Sequence, residues 1–206
     1  MAKTKLTKTE LKAQTDALKR FQRFLPMLQL KKQQLQVEIA HITARIEDVH
    51  ARETEARKAL NVWVQLFSDA DTQSGQLDVA FDSIETTSSN VAGVTIPVFK
   101  SIKTIIADLD LYATPAWLDD AVVMIVNVLS FRAERLVLHR QMELIEHELN
   151  TTSQRVNLFE KVKIPECCEN IRVIKIAIGD EQTASITRGK IAKGRARHPP
   201  DEEDAA

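Results

Sequence analysis

The sequence is poor in everything that builds a compact, loop-rich enzyme. Aromatic residues are only 5% of the chain, with five glycines and six prolines, which suits long helices with few turns better than a many-stranded core. The two cysteines, Cys167 and Cys168, are adjacent, so no disulfide framework forms and no oxidising compartment is implied. The opening MAKTKLTKTELK has no apolar run, so no signal peptide is expected. The richest apolar stretch, Ala121 to Leu129, is half the length of about 18 residues that a bilayer span requires. Hydrophobic residues at 44% argue against a disordered chain. These exclusions leave a soluble cytoplasmic protein of one or two domains.

The overall charge of −1 conceals an asymmetry. Residues 1–35 hold nine Lys/Arg against Glu10 and Asp16, a net +7. Residues 59–130 hold Lys100 and Lys103 against nine acids, a net −7. Residues 170–198 hold seven Lys/Arg against Asp180 and Glu181, a net +5. Both ends are basic and the middle is acidic, although Asp201 to Asp204 are four acids in a row.

Heptads dominate the N-terminal third. Leu11, Leu18, Leu25, Lys32, Ile39, Ile46, Glu53, Leu60 and Phe67 fall seven apart, and Phe21, Leu28, Leu35, Ile42, Val49, Ala56 and Trp63 follow three residues after them. These are coiled-coil a and d positions, broken only by Lys32 and Glu53. Such a helix, about 85 Å over 57 residues, cannot cover its own stripe. A partner appears later. Met124, Phe131, Leu138, Ile145, Thr152 and Phe159 run at seven beside Val128, Met142, Leu149 and Val156, with Arg135 as the exception. The pattern continues loosely through Ile164, Ile171, Ile174 and Ile178.

An antiparallel pairing is the economical arrangement for two helices in one chain. If the closed end lies where Phe67 stops and Met124 starts, paired residue numbers sum to about 191 (67 and 124). That rule brings both basic ends together and sets Pro26 level with Pro165. Each proline should kink or break its helix, either independently or as one shared bend.

The connector changes character. Ser68 to Gly75 is a loop by composition. Ser83 to Ser89 and Val94 to Lys100 read as strands around a turn at 90–93, with Pro97 marking an edge strand. A lone hairpin is marginal, so it should pack against the coil. Tyr112 to Leu118 reads as an ordered re-entry, and Asp119 and Asp120 suit a first helical turn. The expected fold is mainly α: a long antiparallel two-helix coiled coil with a small β-hairpin lobe at the closed end. Its parts are 1–67, a first coiled-coil helix; 68–121, the connector with the hairpin; 122–187, the second helix; and 188–206, a polar, flexible tail.

No catalytic constellation, cofactor site or metal site is apparent. Gly189 to Arg195 has the glycine spacing of a phosphate loop but lacks its Lys-Ser/Thr ending and a preceding strand. Cys167 and Cys168 on a helix point about 100° apart, while structural zinc needs four convergent ligands. His41, His50, His139 and His147 lack metal spacing, and Asn150-Thr-Thr matters only to a secreted chain. The basic ends have three readings: nucleic-acid binding, insertion into an acidic protein collar, or solvated faces. Aromatic interleaving is sparse there (Phe21, Phe24), which weakens single-strand stacking.

Several segments carry a resemblance. Arg155 to Lys163 (RVNLFEKVK), Ile164-Pro165, Ile171 to Asp180 (IRVIKIAIGD) and Arg188-Gly-Lys190 resemble the C-terminal signature of the D subunits of V-type (archaeal/vacuolar-type) ATPases. Asn90 to Phe99 and Tyr112 to Asp119 look like the same family's central segments, and Leu25 to Glu38 resembles its bacterial branch. The last segment departs from the usual small-residue, Gly-containing version by carrying Pro26 in a Leu-rich run.

The resemblance implies a non-catalytic rotor shaft, the central stalk of a V-type rotary ATPase or ATP synthase. It would carry torque between ATP hydrolysis or synthesis and H⁺ or Na⁺ translocation. Implied partners are the catalytic (A) and non-catalytic (B) ring subunits, the stalk's F subunit at its side, and the socket-forming C subunit above the membrane ring. No cofactor, metal or nucleic acid is implied, and the membrane is met only through the complex, on the cytoplasmic side of the inner membrane. With the basic ends inside the ring, the ring-facing residues would be Arg20, Arg23, Lys31 and Lys32 on the first helix and Arg172, Lys175, Arg188 and Lys190 on the second. The competing reading is a cytoplasmic coiled-coil adaptor whose basic ends bind nucleic acid or an acidic surface.

Overall fold

A computed structural model describes residues 5–61, 79–106 and 117–197. In chain order they form α1 (Lys8–Asn61), β1 (Val79–Val91), β2 (Val94–Ile106), α2 (Leu118–Leu158), a π-helical turn (Phe159–Lys163) and α3 (Ile164–Arg197). They divide into a terminal unit, Met1–Gln29 with Gln154–Ala206, and a central unit, Leu30–Ser153. The loop expected at Ser68 to Gly75, all but the last two residues of the re-entry expected at Tyr112 to Leu118, and the closed end itself lie outside the described residues.

The heptad reading translates directly into burial. Every a and d residue from Leu11 to Leu60 is buried or half-buried, whereas Gln33, Gln34, Arg45, Glu47, Asp48, Glu55 and Arg57 are exposed. The two heptad breaks in α1 are covered as well: Lys32 is half-buried and Glu53 buried.

In the central unit, Leu35, Ile42, Val49, Ile96, Leu138 and Ile145 form one core cluster, flanked by Ile39, Ile46, Phe131, Met142 and Leu149. Lys31 bonds Glu148 at 2.6 Å, Arg45 faces Glu134 at 3.7 Å, and Arg135 faces Glu53 at 3.3 Å. From the first pair to the other two the α1 number rises while the α2 number falls, so the two segments run antiparallel. The paired numbers sum to 179, 179 and 188 rather than the expected 191. A stripe that repeats every seven residues returns to the seam whenever one helix slides by a heptad, about two turns. Periodicity therefore identifies the packed face but leaves the axial register open.

The hairpin is longer than expected, with 13 residues in each strand. It pairs from Val79↔Ile106 to Val91↔Val94, with irregularities between Phe81 and Ser83 and between Glu85 and Thr86. Its two-residue turn is Ala92-Gly93, with φ of 50° and 83°. Positive φ at both central positions is the type I′ geometry that matches strand twist. Asn90 Oδ1 caps it by accepting from the Gly93 N–H at 2.9 Å.

The hairpin packs against the coil, as a marginal two-stranded element requires. Its turn end lies along the coil: Val91 and Ala92 border a groove with Gln33, Gln34, Val37 and Glu38 of α1, and Ile96 enters the helical core. α2 carries a second stripe to receive it, since Ala133, Val137 and Gln141, spaced by four, are all buried off the heptad seam. Gln141 Nε2 donates to the Pro97 carbonyl. Pro97 has no N–H to offer a sheet neighbour, so its strand is the natural one to meet a helix. Further out, Lys103 pairs with Glu85 at 2.9 Å while the Ser101 hydroxyl donates to the other Glu85 oxygen at 2.8 Å. These contacts hold the Glu85 carboxyl below its ordinary value, the Lys103 bond first.

In the terminal unit, Thr7 starts α1 as its N-cap. The Glu10 N–H donates to Thr7 Oγ1 at 3.3 Å in a Thr-x-x-Glu arrangement that neutralises an orphan donor. α1 stays helical through Pro26, whose side chain is exposed, so that proline removes one hydrogen bond without ending the helix. Pro165 acts differently. Just before it the helix widens, and the Ile164 N–H donates to Phe159 O, five residues back. A π turn gives the proline ring room that an α turn would deny it.

The Phe21 and Phe159 rings sit 5.0 Å apart, a numerical sum of 180. That register sets Pro165 level with residue 15, roughly 16 Å along the axis from Pro26. The shared bend inferred from the sum of 191 is therefore not formed at this register. The helix also continues to Arg197, ten residues past the expected end at 187.

Two measurements check this fold. Ile42→Asp, at a site 2% exposed, should cost several kcal/mol because it buries an unpaired charge. Gln34→Asp, on the exposed side, should stay within about 0.5 kcal/mol. Equal losses in chemical denaturation would refute the seam. Ala92→Asn should stabilise the hairpin by about 0.5–1 kcal/mol, since Asn tolerates positive φ better than Ala. Slower amide exchange across β1 and β2 is the readout.

Candidate partner-binding surface

The chemistry-bearing segments singled out in the sequence resolve into helix. Gly189 and Gly194 both lie inside α3, so that segment is not a phosphate loop. Cys167 is buried and Cys168 exposed, as adjacent helical positions require. Burial, ahead of the neighbouring Glu166 and Cys168, pushes the Cys167 thiol up, which favours the protonated, unreactive form. Among the described residues no three His, Cys, Asp or Glu side chains group to hold a metal.

Electrostatics separate the two units. The described part of the terminal unit carries sixteen Lys/Arg against seven Asp/Glu, a net +9. The described part of the central unit carries eleven against thirteen, a net −2. A potential of one sign over one unit steers and orients a complementary partner.

The eight expected contact residues do not form one set. Arg20 and Arg23 on α1 and Arg172, Lys175, Arg188 and Lys190 on α3 belong to the terminal unit, and all six are exposed. Lys31 and Lys32 belong to the central unit and are half-buried. Lys31 is committed to Glu148. Arg172 grips Glu169 with two bonds, Nε to Oε2 at 2.9 Å and Nη2 to Oε1 at 2.7 Å. That fork raises the guanidinium's affinity for its proton and depresses the Glu169 carboxyl. The outward charge of the set therefore rests mainly on Arg20, Arg23, Lys175, Arg188 and Lys190. Lys5, Lys8, Lys12, Lys19 and Lys193 are exposed in the same unit and extend it beyond the residues the sequence pattern selected.

A second feature escaped the sequence reading. The terminal unit exposes large apolar side chains among its charges: Met27 62%, Ile186 61%, Ile191 53%, Ile176 52% and Phe24 48%. Apolar groups interspersed with cations make a surface suited to a protein partner, where burial supplies affinity and charge supplies orientation. The signal was present as Val173, Ile176, Ile186 and Ile191, apolar residues off the heptad seam. A search for seam positions passes over them.

Comparison with known proteins bears on the whole chain. The family model for the ATP synthase D subunit matches residues 10–194. A V-type ATP synthase D subunit from Borreliella burgdorferi is 42% identical over 193 residues, covering 94% of this chain and 95% of that protein. The protein of the same name from Chlamydia felis is 30% identical, covering 98% of each. The one from Chlamydia abortus is 29% identical, covering 100% of this chain and 99% of its own length. The match runs through the heptads, the hairpin and the basic unit alike, and the chain belongs to the family of ATP synthase D subunits.

Proposed function

We propose that the chain is the central stalk of a V-type ATP synthase, the rotor shaft that carries torque between the catalytic ring and the ion-translocating membrane ring. The observation that carries this reading is the end-to-end likeness to a relative named as a V-type ATP synthase D subunit, at 42% identity over 94% of the chain. Its physical support lies in the architecture. A shaft needs long, continuous elements, and α1 runs 54 residues while α2 runs 41. It needs no reactive groups of its own.

In this reading the terminal unit is enclosed by the ring of A and B subunits. The F subunit sits at the side, the C subunit forms the socket above the membrane ring, and the complex lies on the cytoplasmic face of the inner membrane. Among the described residues no helix is long and apolar enough to cross a membrane, so the chain would meet the bilayer through its partners. A rotating bearing must pass between equivalent positions without one deep minimum. Many exposed cations, each worth about 0–1 kcal/mol in a pairwise contact, suit that requirement. Because coupling is reciprocal, a ring whose shape follows nucleotide state would bias the angle of a shaft whose charges it orients.

Recovery of ATPase ring subunits with the tagged chain from solubilised membranes is the first test. Recovery of nucleic acid or unrelated scaffolds instead would favour the adaptor reading. The purified chain alone should not turn over ATP, and turnover abolished by Lys190→Ala would overturn that expectation. Neutralising Arg20, Arg23, Lys175, Arg188 and Lys190 together should leave the helices folded. It should weaken ring assembly, or let hydrolysis continue while ion pumping falls in reconstituted vesicles. Single neutralisations should have little effect, and Lys100→Gln with Lys103→Gln in the hairpin should leave coupling intact. A fivefold variant that assembles and pumps like the parent at low and high salt would mean that shape and apolar contacts alone hold the bearing.

A further inference from the structure

Within the terminal unit the apolar stripe changes phase once. Val156 and Phe159 end the α2 stripe, and a spacing of seven would continue it through Lys163, Asn170 and Ala177 and through Glu166, Val173 and Asp180. The fold covers different residues. Cys167 is 5% exposed and Ile174 0%, with Ile164, Ile171 and Ile178 half-buried, whereas Glu166, Val173 and Asp180 are exposed. From Val156 to Ile164 and from Phe159 to Cys167 the interval is eight residues. Beyond them, from Ile164 to Ile171 to Ile178 and from Cys167 to Ile174, it is seven. One surplus residue therefore lies between Phe159 and Ile164. In an unbroken α-helix it would turn everything after it by about 100°. The π turn occupies those same positions, Phe159–Lys163, with the Ile164 N–H donating to Phe159 O. Such a turn holds one residue more than an α turn. On both sides of it the same face meets α1: the Phe159 ring lies 5.0 Å from Phe21, and Ile178 borders a groove with Leu6, Thr7 and Lys8.

We infer that the π turn is a phase corrector: it takes up a one-residue insertion, so that the stripe before it and the stripe of α3 stay on one side of the helix. The stripe sets the turn, and the ring of Pro165 fits it without causing it. The competing state is an unbroken α-helix, and its cost is specific. Cys167 and Ile174 would leave the seam, and Glu166, Val173 and Asp180 would enter it. Two carboxylates would then lose water in exchange for one valine, which is strongly unfavourable. The π turn forfeits little by comparison. A hydrogen bond reaching five residues back replaces one reaching four, and Pro165 has no N–H to leave unpaired. This role is independent of whether the chain carries torque.

The test uses the full chain with Cys168→Ser, which leaves Cys167 as the single thiol and its labelling by a small maleimide as a reporter of the seam. Pro165→Ala removes the ring's demand for space, and Cys167 should label as slowly as in the parent, because the stripe still holds the wide turn. In that background two exposed valines are deleted one at a time, Val162 (48% exposed) inside the π turn and Val173 (41% exposed) beyond it. Deletion of Val162 makes every interval seven. The thermal midpoint should then be no lower than that of P165A alone, and Cys167 should stay protected. Deletion of Val173 removes a residue that is not surplus. It displaces either Ile174 and Ile178 or, if the π turn closes to compensate, Ile164, Cys167 and Ile171. The midpoint should fall by about 5–10 °C. Equal losses for the two deletions, including failure of both to fold, would overturn the inference. So would labelling of Cys167 several-fold faster in P165A, since the proline would then be what sets the turn.

Discussion

An apolar stripe repeated every seven residues must be covered by another helix, and two turns of sliding leave it covered. The two long helices of the central unit answer the first half of that statement with one continuous seam. Leu35, Ile42 and Val49 on α1 share a core with Leu138 and Ile145 on α2. The seam is not purely apolar: Glu53 is buried in it, with Arg135 of α2 3.3 Å away.

The hairpin depends on the same helices. Two strands of 13 residues expose too much backbone and too little core to stand alone. α2 solves this by being apolar on a second face, where Ala133, Val137 and Gln141 are buried. Ile96 inserts into the helical core, and the Pro97 carbonyl takes the Gln141 amide. The central unit is accordingly three-sided, with α2 as the element that touches both of its neighbours.

The outer surfaces of the two units divide the labour differently. The terminal unit concentrates cations and exposes apolar side chains among them, while the central unit is nearly neutral. Mobile contact with a surrounding ring, the proposed role, asks for attraction without a single locked arrangement. Long-range charge provides the attraction, and dispersed apolar groups add contact area without one interlocking patch.

Much of this was legible in the residues. The seam was, to the individual position, because period determines which side of a helix faces its partner. The turn at Asn90 to Gly93 was too, because few residues accept its backbone. The clustering of basic residues toward both ends was also legible, since charge is counted rather than folded. What pattern could not show was offset, placement and pairing. The sum of 191 was not met because sliding by a heptad preserves the stripe, and with it went the shared level of Pro26 and Pro165. Ala133, Val137 and Gln141 looked like ordinary helix surface until the hairpin lay on them. Lys31 and Arg172 looked available until Glu148 and Glu169 were found beside them. Glu53 and Arg135 read as two separate blemishes in two heptad series. Only the tertiary structure made them one feature, because a periodic sequence specifies a direction around the helix axis, while contact between distant residues specifies a position along it.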